Sequence, residues 1–116
     1  MEPRIIVFIP AYRCEAQIKR VLDQFDDNVQ SYISAVMVVD NCSPDNTLQT
    51  AIEYGRKKIQ KVDFIVWSND NNYGLGGSHK AAFRYAIENG YDYLIVLHGD
   101  DQADIHDLMP TFINGY

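Results

Sequence analysis

Four short apolar runs punctuate the chain, at Ile5–Ile9, Ala35–Val39, Phe64–Trp67 and Tyr93–Leu97. Each is continuous rather than alternating and rich in Val and Ile, the pattern of strands covered on both faces in a parallel sheet. Between them, apolar residues recur at helical spacing. Ile18, Val21, Leu22 and Phe25 fall at i, i+3, i+4 and i+7, one face of a helix. Leu48, Ala51, Ile52 and Ile59 form a second stripe, preceded by Ser43-Pro44, which predicts an N-cap followed by proline in the first turn. Ala82, Phe83, Ala86 and Ile87 form a third, with Gly90 as its stop. Ile105, Leu108, Met109 and Phe112 suggest a fourth, shortened or kinked by Pro110.

The resulting order, β-α-β-α-β-α-β-α, predicts crossover units on a parallel sheet: an α/β, Rossmann-like three-layer α/β/α fold. No repeat, low-complexity tract or linker divides residues 1–116, so one domain is expected. Ligands of such sheets bind outside the carboxyl ends of the strands. The segments to watch are therefore 10–15, 40–45, 68–78 and 98–104, and all four are unusually polar or glycine-rich.

Composition narrows the function mainly by exclusion. The chain has 116 residues, is 47% hydrophobic and 22% charged, and carries a formal charge of −6. Nothing basic invites nucleic acid. No apolar stretch approaches the ~20 residues of a membrane span, and Met1-Glu2-Pro3-Arg4 opens no signal peptide. A cytoplasmic chain is expected, with membrane association only through regions beyond it. Cys14 and Cys42 lack metal-binding spacing and read as free thiols.

Chemistry concentrates where the strands end. Asp40 follows the second run directly, where a carboxylate can accept from a base N–H or a ribose hydroxyl, or cap the next helix. Asn72-Tyr73-Gly74-Leu75-Gly76-Gly77-Ser78 lies between a strand and a helix, where glycines permit close backbone approach and a helix N-terminus favours phosphate. It fits neither the dinucleotide pattern, since His79 stands where the last glycine would be, nor the P-loop. A ligand-free glycine turn remains the alternative. Lys80 and Arg84 could assist a diphosphate or face solvent. His98-Gly99-Asp100-Asp101 puts carboxylates just past a buried strand, suited to a hard divalent cation that bridges to substrate phosphates. Helix capping is the competing use, and His98 could be a ligand or a structural side chain.

Taken together, Ile9-Pro10-Ala11-Tyr12, the run from Val38 to Thr47, Asn72 to Gly76, and His98 to Gln102 resemble family-2 glycosyltransferases of the GT-A fold, nearest the polyprenyl-phosphate (dolichol-phosphate) mannosyl- and glucosyltransferase branch. The usual patterns there are P-A-Y-N-E, V-D-D-G-S-x-D-x-T, N-x-G-x-G and D-G-D-x-Q. The resemblance covers essentially the whole chain. With the crossover pattern, it implies strand order 3-2-1-4 and a donor-binding half that ends before the acceptor-binding half and its catalytic base.

The resemblance also implies site roles. Pro10, Ala11, Tyr12 and Glu15 would line the nucleotide pocket, and Asp40 would contact base or ribose. Asn72, Gly74 and Gly76 would shape the sugar-diphosphate loop, with Lys80, read from its own position on the next helix, as an aid to the diphosphate. Gly99 and Asp100 would complete it, with Asp100 and Asp101, and His98 as a further candidate, holding Mg2+ or Mn2+. The implied reaction moves a sugar with inversion from a UDP- or GDP-linked donor to an acceptor such as polyprenyl phosphate or a glycan. The alternative is a catalytically incomplete nucleotide-binding or regulatory module of the same fold. Four departures from the family pattern stand out. Cys14 replaces a frequent glutamate, Asn41 and Cys42 replace the second aspartate and the glycine, and His98 replaces the first aspartate of D-G-D.

Overall fold

The structure, a computed structural model, describes residues 3–100 and 105–108. Strands β1 (Ile5–Ala11), β2 (Ala35–Asp40), β3 (Asp63–Ser68) and β4 (Tyr93–Val96) pair entirely in parallel, in the order β3-β2-β1-β4. Helices α1 (Glu15–Asp23), α3 (Thr47–Lys58) and α4 (Gly74–Glu88) are the crossovers, and a single turn, α2 (Asp27–Gln30), precedes β2. Fold class and strand order are those expected from the sequence.

The period-two geometry of β1 sorts the core into two layers. Ile5, Val7, Ile9 and Ala11 pack with Ile18, Val21 and Leu22 of α1 and Ala51 of α3. Ile6 and Phe8 pack with Ala35, Met37 and Val39 of β2 and Ala82 and Ala86 of α4. Both central strands are buried along their whole length. The outer strands β3 and β4 are only half covered, contrary to the expectation of burial on both faces, because each has a neighbour on one side only among the described residues.

Three helical expectations need correction. The second crossover helix begins at Thr47 rather than at Ser43-Pro44, since Asp40 Oδ2 accepts from Ser43 N (3.2 Å) and Asp45 Oδ1 accepts from Thr47 N (3.1 Å), holding 43–46 as a turn. Its innermost residues are Thr47, Ala51 and Gly55, with Leu48 and Ile52 only half-buried. A Cβ on Gly55 would stand 2.1 Å from the Phe64 ring, so the glycine lets α3 lie close on β3. The third helix starts at Gly74, which turns most of the expected glycine loop into its first turn. Its buried face is Ser78, Ala82 and Ala86, whereas Phe83 and Ile87 are 47% and 80% exposed. Of the fourth pattern, Ile105–Leu108 is a 3-10 turn, and Met109, Pro110 and Phe112 lie outside the described residues.

The β1–β4 ladder continues past β4. Leu97 N donates to Phe8 O and Gly99 N to Pro10 O, at 2.9 and 3.0 Å. Pro10 accepts one such bond but has no N–H to return, so the strands part there and 98–100 are released at the sheet's carboxyl end.

Thr47 is fully buried and joins two loops: its Oγ1 accepts from Cys14 N (3.0 Å) and donates to Asp45 Oδ1 (2.5 Å). Thr47→Val keeps the shape but leaves a buried N–H without an acceptor, and should destabilise the fold by ~1–3 kcal/mol in urea titration. Thr47→Ser should recover most of that loss.

The thiols should differ sharply. Cys14 is buried and Cys42 exposed. Burial, and then the fields of Asp45, Asp40 and Asp100, push the Cys14 thiol from 9.0 up to about 11. A maleimide at pH 8 should label Cys42 in the native protein and Cys14 only after denaturation, as read by mass spectrometry. Since the unfolded thiol ionises first, Cys14 favours folding fully below pH 9.0 and loses that contribution as pH rises to about 11.

Candidate functional site

Because β1 lies between β2 and β4, the loops leaving all three meet at one end of the sheet. They enclose a cleft of about 320 Å³. Pro10, Ala11 and Tyr12 line it from β1, and Asn41 from the end of β2. Asn72, Gly74 and Ser78 line it from the start of α4, and His98, Gly99 and Asp100 from beyond β4. Gly99 suits this closeness: a Cβ there would lie 3.2 Å from both Cys14 Sγ and Pro10 O, and those neighbours would have to give by a few tenths of an ångström.

The β1 and β2 loops are stitched to each other. Arg13 N donates to Ser43 Oγ (3.0 Å), Cys14 N to Thr47 Oγ1 (3.0 Å) and Asn46 N to Glu15 Oε1 (3.1 Å). Two residues in these loops, Arg13 (φ 50°) and Cys42 (φ 59°), adopt the left-handed conformation without being glycine. Such residues cost of order 1–3 kcal/mol each and persist only where surrounding bonds over-determine them.

A second set of bonds ties the end of β2 to the start of α4. Asn41 Oδ1 accepts from Tyr73 N (3.0 Å) and Asn69 Nδ2 (3.1 Å), while Asn41 Nδ2 donates to Asn72 Oδ1 (2.8 Å). Asn72 Oδ1 also accepts from Gly74 N (2.9 Å), and Asn69 Nδ2 reaches Ser78 Oγ (3.3 Å). Gly74 has φ +74°, which fits glycine at the turn into the helix. Asn41, noted in the sequence only as a departure from the family pattern, Ser78, noted only as the end of the glycine loop, and Asn69 were given no site role there. For Asn41 and Asn69 the signal is a polar residue one position past a strand end, visible only once the register is known; Ser78 lies on the buried face of α4.

Asp40 is 2% exposed; Oδ2 is taken by Ser43 N, and Oδ1 is buried with no hydrogen-bond partner among the described residues. An orphaned buried carboxylate oxygen is expensive and calls for a reason such as a ligand or a bound water.

Eight expected residues thus share the cleft wall: Pro10, Ala11, Tyr12, Asn72, Gly74, His98, Gly99 and Asp100. Four do not. Asp40 is at the same sheet end, but its carboxylate is folded into the turn it caps. Glu15 is drawn to Asn46 N. Gly76 and Lys80 sit on α4, exposed and off the wall. Asp101 lies outside the described residues. Among those described, no three His, Cys, Asp or Glu side chains converge as a ready-made metal cage.

The chain matches the family model "Glycosyl transferase family 2" over residues 6–112. It is 32% identical over 97 residues to the undecaprenyl-phosphate mannosyltransferase of Micrococcus luteus, covering 84% of this chain and 38% of that protein. A crystal structure of S. aureus TarS residues 1–349 superposes with a TM-score of 0.73 at 26% identity, covering 93% of this chain and 31% of that one. The mannosyltransferase PcManGT of Pyrobaculum calidifontis, in complex with GDP-Man and Mn2+, shares the fold at a TM-score of 0.73 and 20% identity, over 86% of this chain and 28% of that one. The chain therefore spans well under half the length of these relatives. With four parallel strands in the order β3-β2-β1-β4 and a match running almost end to end, the chain belongs to glycosyl transferase family 2.

Proposed function

We propose that the cleft is the donor site of a transferase that moves a sugar from a UDP- or GDP-linked donor to an acceptor, with inversion at the anomeric carbon. The observation that carries this reading is the meeting of Tyr12, Asn72, Gly74, His98, Gly99 and Asp100 in one cleft at the carboxyl ends of the strands, with Asp40 Oδ1, off the wall at the same sheet end, buried without a partner among the described residues. A base N–H or a ribose hydroxyl would supply the missing donor. The N-terminal end of α4 meets the cleft at Gly74, with no side-chain cap from Tyr73, and the positive end of the helix dipole there favours a diphosphate. Relatives support the same chemistry: TarS has been crystallised with UDP-GlcNAc and with UDP, and PcManGT with GDP-Man and Mn2+.

In the reaction, an acceptor oxygen bonds to the anomeric carbon as the bond to the diphosphate breaks, and the nucleoside diphosphate leaves with that electron pair. The name of the Micrococcus luteus relative supports undecaprenyl phosphate, or a similar polyprenyl phosphate, as the acceptor, which would place the work at the cytoplasmic face of a membrane. Among the described residues no helix is long and apolar enough to cross a membrane, so such an association rests on other contacts. No catalytic base is assigned among these residues.

A divalent cation fits the donor set in one form only. Asp100, exposed on the cleft wall beside His98, offers a carboxylate, and Mg2+ or Mn2+ is commonly held by one or two carboxylates plus substrate phosphates. Bound there, the ion would neutralise charge developing on the departing diphosphate. Asp101 remains a proposed second ligand.

Calorimetry with UDP and GDP, each with and without manganese, checks this reading. Asp100→Ala should remove the manganese-dependent part of the affinity. Asp40→Asn should weaken uridine and UDP, or guanosine and GDP, alike by about tenfold, since it alters one hydrogen bond to the nucleoside. Affinities indifferent to manganese and to both substitutions would sink the assignment.

A further inference from the structure

We propose that Asn41 is a positioning residue: it fixes the Asn72 carboxamide so that its amino group, rather than its carbonyl, is the end presented to the cleft. The ligand half of this inference rests on the donor-site reading above.

An asparagine amide can usually be drawn either way round, but here backbone N–H groups remove the choice. Tyr73 N, which can only donate, points at one polar atom of Asn41, so that atom is Oδ1 and the other is Nδ2. Asn69 Nδ2 shares the same oxygen. Nδ2 of Asn41 then donates to Asn72 at 2.8 Å, and Gly74 N, again donor only, meets the same Asn72 atom at 2.9 Å. That atom is therefore Oδ1. Both donors occupy the carbonyl end of Asn72, which leaves Nδ2 as the polar end of a residue that lines the cleft.

Asn41 suits this task because it is 7% exposed, one residue past β2, with its backbone N bonded to Ala11 O (3.0 Å). Its side chain cannot drift without breaking three bonds. An aspartate there would still accept from Tyr73 N and Asn69, but would offer Asn72 no hydrogen. Two oxygens at 2.8 Å repel, while an inward amino group would meet Gly74 N–H donor to donor, so Asn72 would have no fixed orientation and its amino group would no longer be held toward the ligand. An amino group complements phosphate oxygens; a carbonyl repels them.

The test combines one measurement on the free protein with one on the complex, using the full chain, Asn41→Ala, Asn72→Ala and the double variant. In the free protein, Asn41→Ala should accelerate hydrogen exchange at the Gly74 amide severalfold, because its acceptor is no longer held; Asn41 does not touch Gly74 N itself. Unchanged Gly74 exchange would overturn the proposal. With manganese and UDP, and separately GDP, each single variant should weaken binding up to about tenfold, and the double variant no more than Asn72→Ala alone. Uridine and guanosine should bind all four proteins equally. Losses that add would show that Asn41 acts by another route and would likewise defeat the inference. If neither nucleotide binds the wild type, the donor-site reading fails, and Gly74 exchange alone decides whether Asn41 holds Asn72. Should Asn41→Ala melt early, Asn41→Ser, which keeps an oxygen for Tyr73 N, takes its place in the cycle.

Discussion

β1 exchanges backbone hydrogen bonds with β2 on one side and β4 on the other, and both of its faces are sealed by apolar side chains. Fixing its register fixes which residues of three chain segments end at the same height. Ala11 is level with Asp40, and Asp40 with Ser68, so the polar residues that follow arrive side by side. A slip of one residue would turn every β1 side chain to the other layer and would carry Pro10 and Tyr12 away from Gly99 and Asp100. The cleft is therefore a consequence of the core, and its walls are loops only in the sense that the ladder has stopped.

What holds those walls is a dense use of short polar side chains. Ser43, Thr47 and Glu15 cross-link the first two loops; Asn41, Asn69, Asn72 and Ser78 cross-link the second and third. Buried polar groups are costly unless satisfied, and networks of this kind are stiff when every member finds a partner. Almost every member does. Among the described residues the exception, Asp40 Oδ1, stands out because its surroundings are otherwise complete. Two left-handed non-glycine residues survive within the same cross-links, so part of the binding energy of the loops is held against backbone strain.

The strands and the end of the sheet that carries the cleft were legible in the sequence, because continuous Val/Ile runs and the alternation with helices leave few alternatives; the strand order also needed the family resemblance. Helix phase was less so. Phe83 and Ile87 fell in the same helical stripe as Ala82 and Ala86, and only the sheet's position decides that Ala82 and Ala86 face inward while the larger side chains do not. Small residues win there because α4 lies close over Phe8 and Met37. Capping was misread at Ser43-Pro44 because local propensity ignores competition: Asp40, three residues upstream, captures Ser43 N first. Among site residues, those in the backbone path of the strands were found, whereas the roles of Asn41 and Asn69 were not, since an asparagine after a strand looks like any turn residue until its partners are in place.

The balance of charge in the cleft explains why cation and nucleotide belong together in this reading. Asp40 and Asp100 stand at one end of the sheet, and their fields are felt at Cys14 between them. A diphosphate brought within ~4 Å of one carboxylate meets about 4 kcal/mol of repulsion per charge pair at an effective dielectric of 20. His98, in place of an aspartate, carries no fixed negative charge and so removes one such pair, but it also removes one attraction for a cation. With a single described carboxylate on the wall and no ready-made cage, an ion has little to hold it before the diphosphate arrives, and the diphosphate is opposed by Asp100 before the ion arrives. On this reading each would lower the cost of the other, so their binding would be linked and each would raise the other's affinity by the same factor.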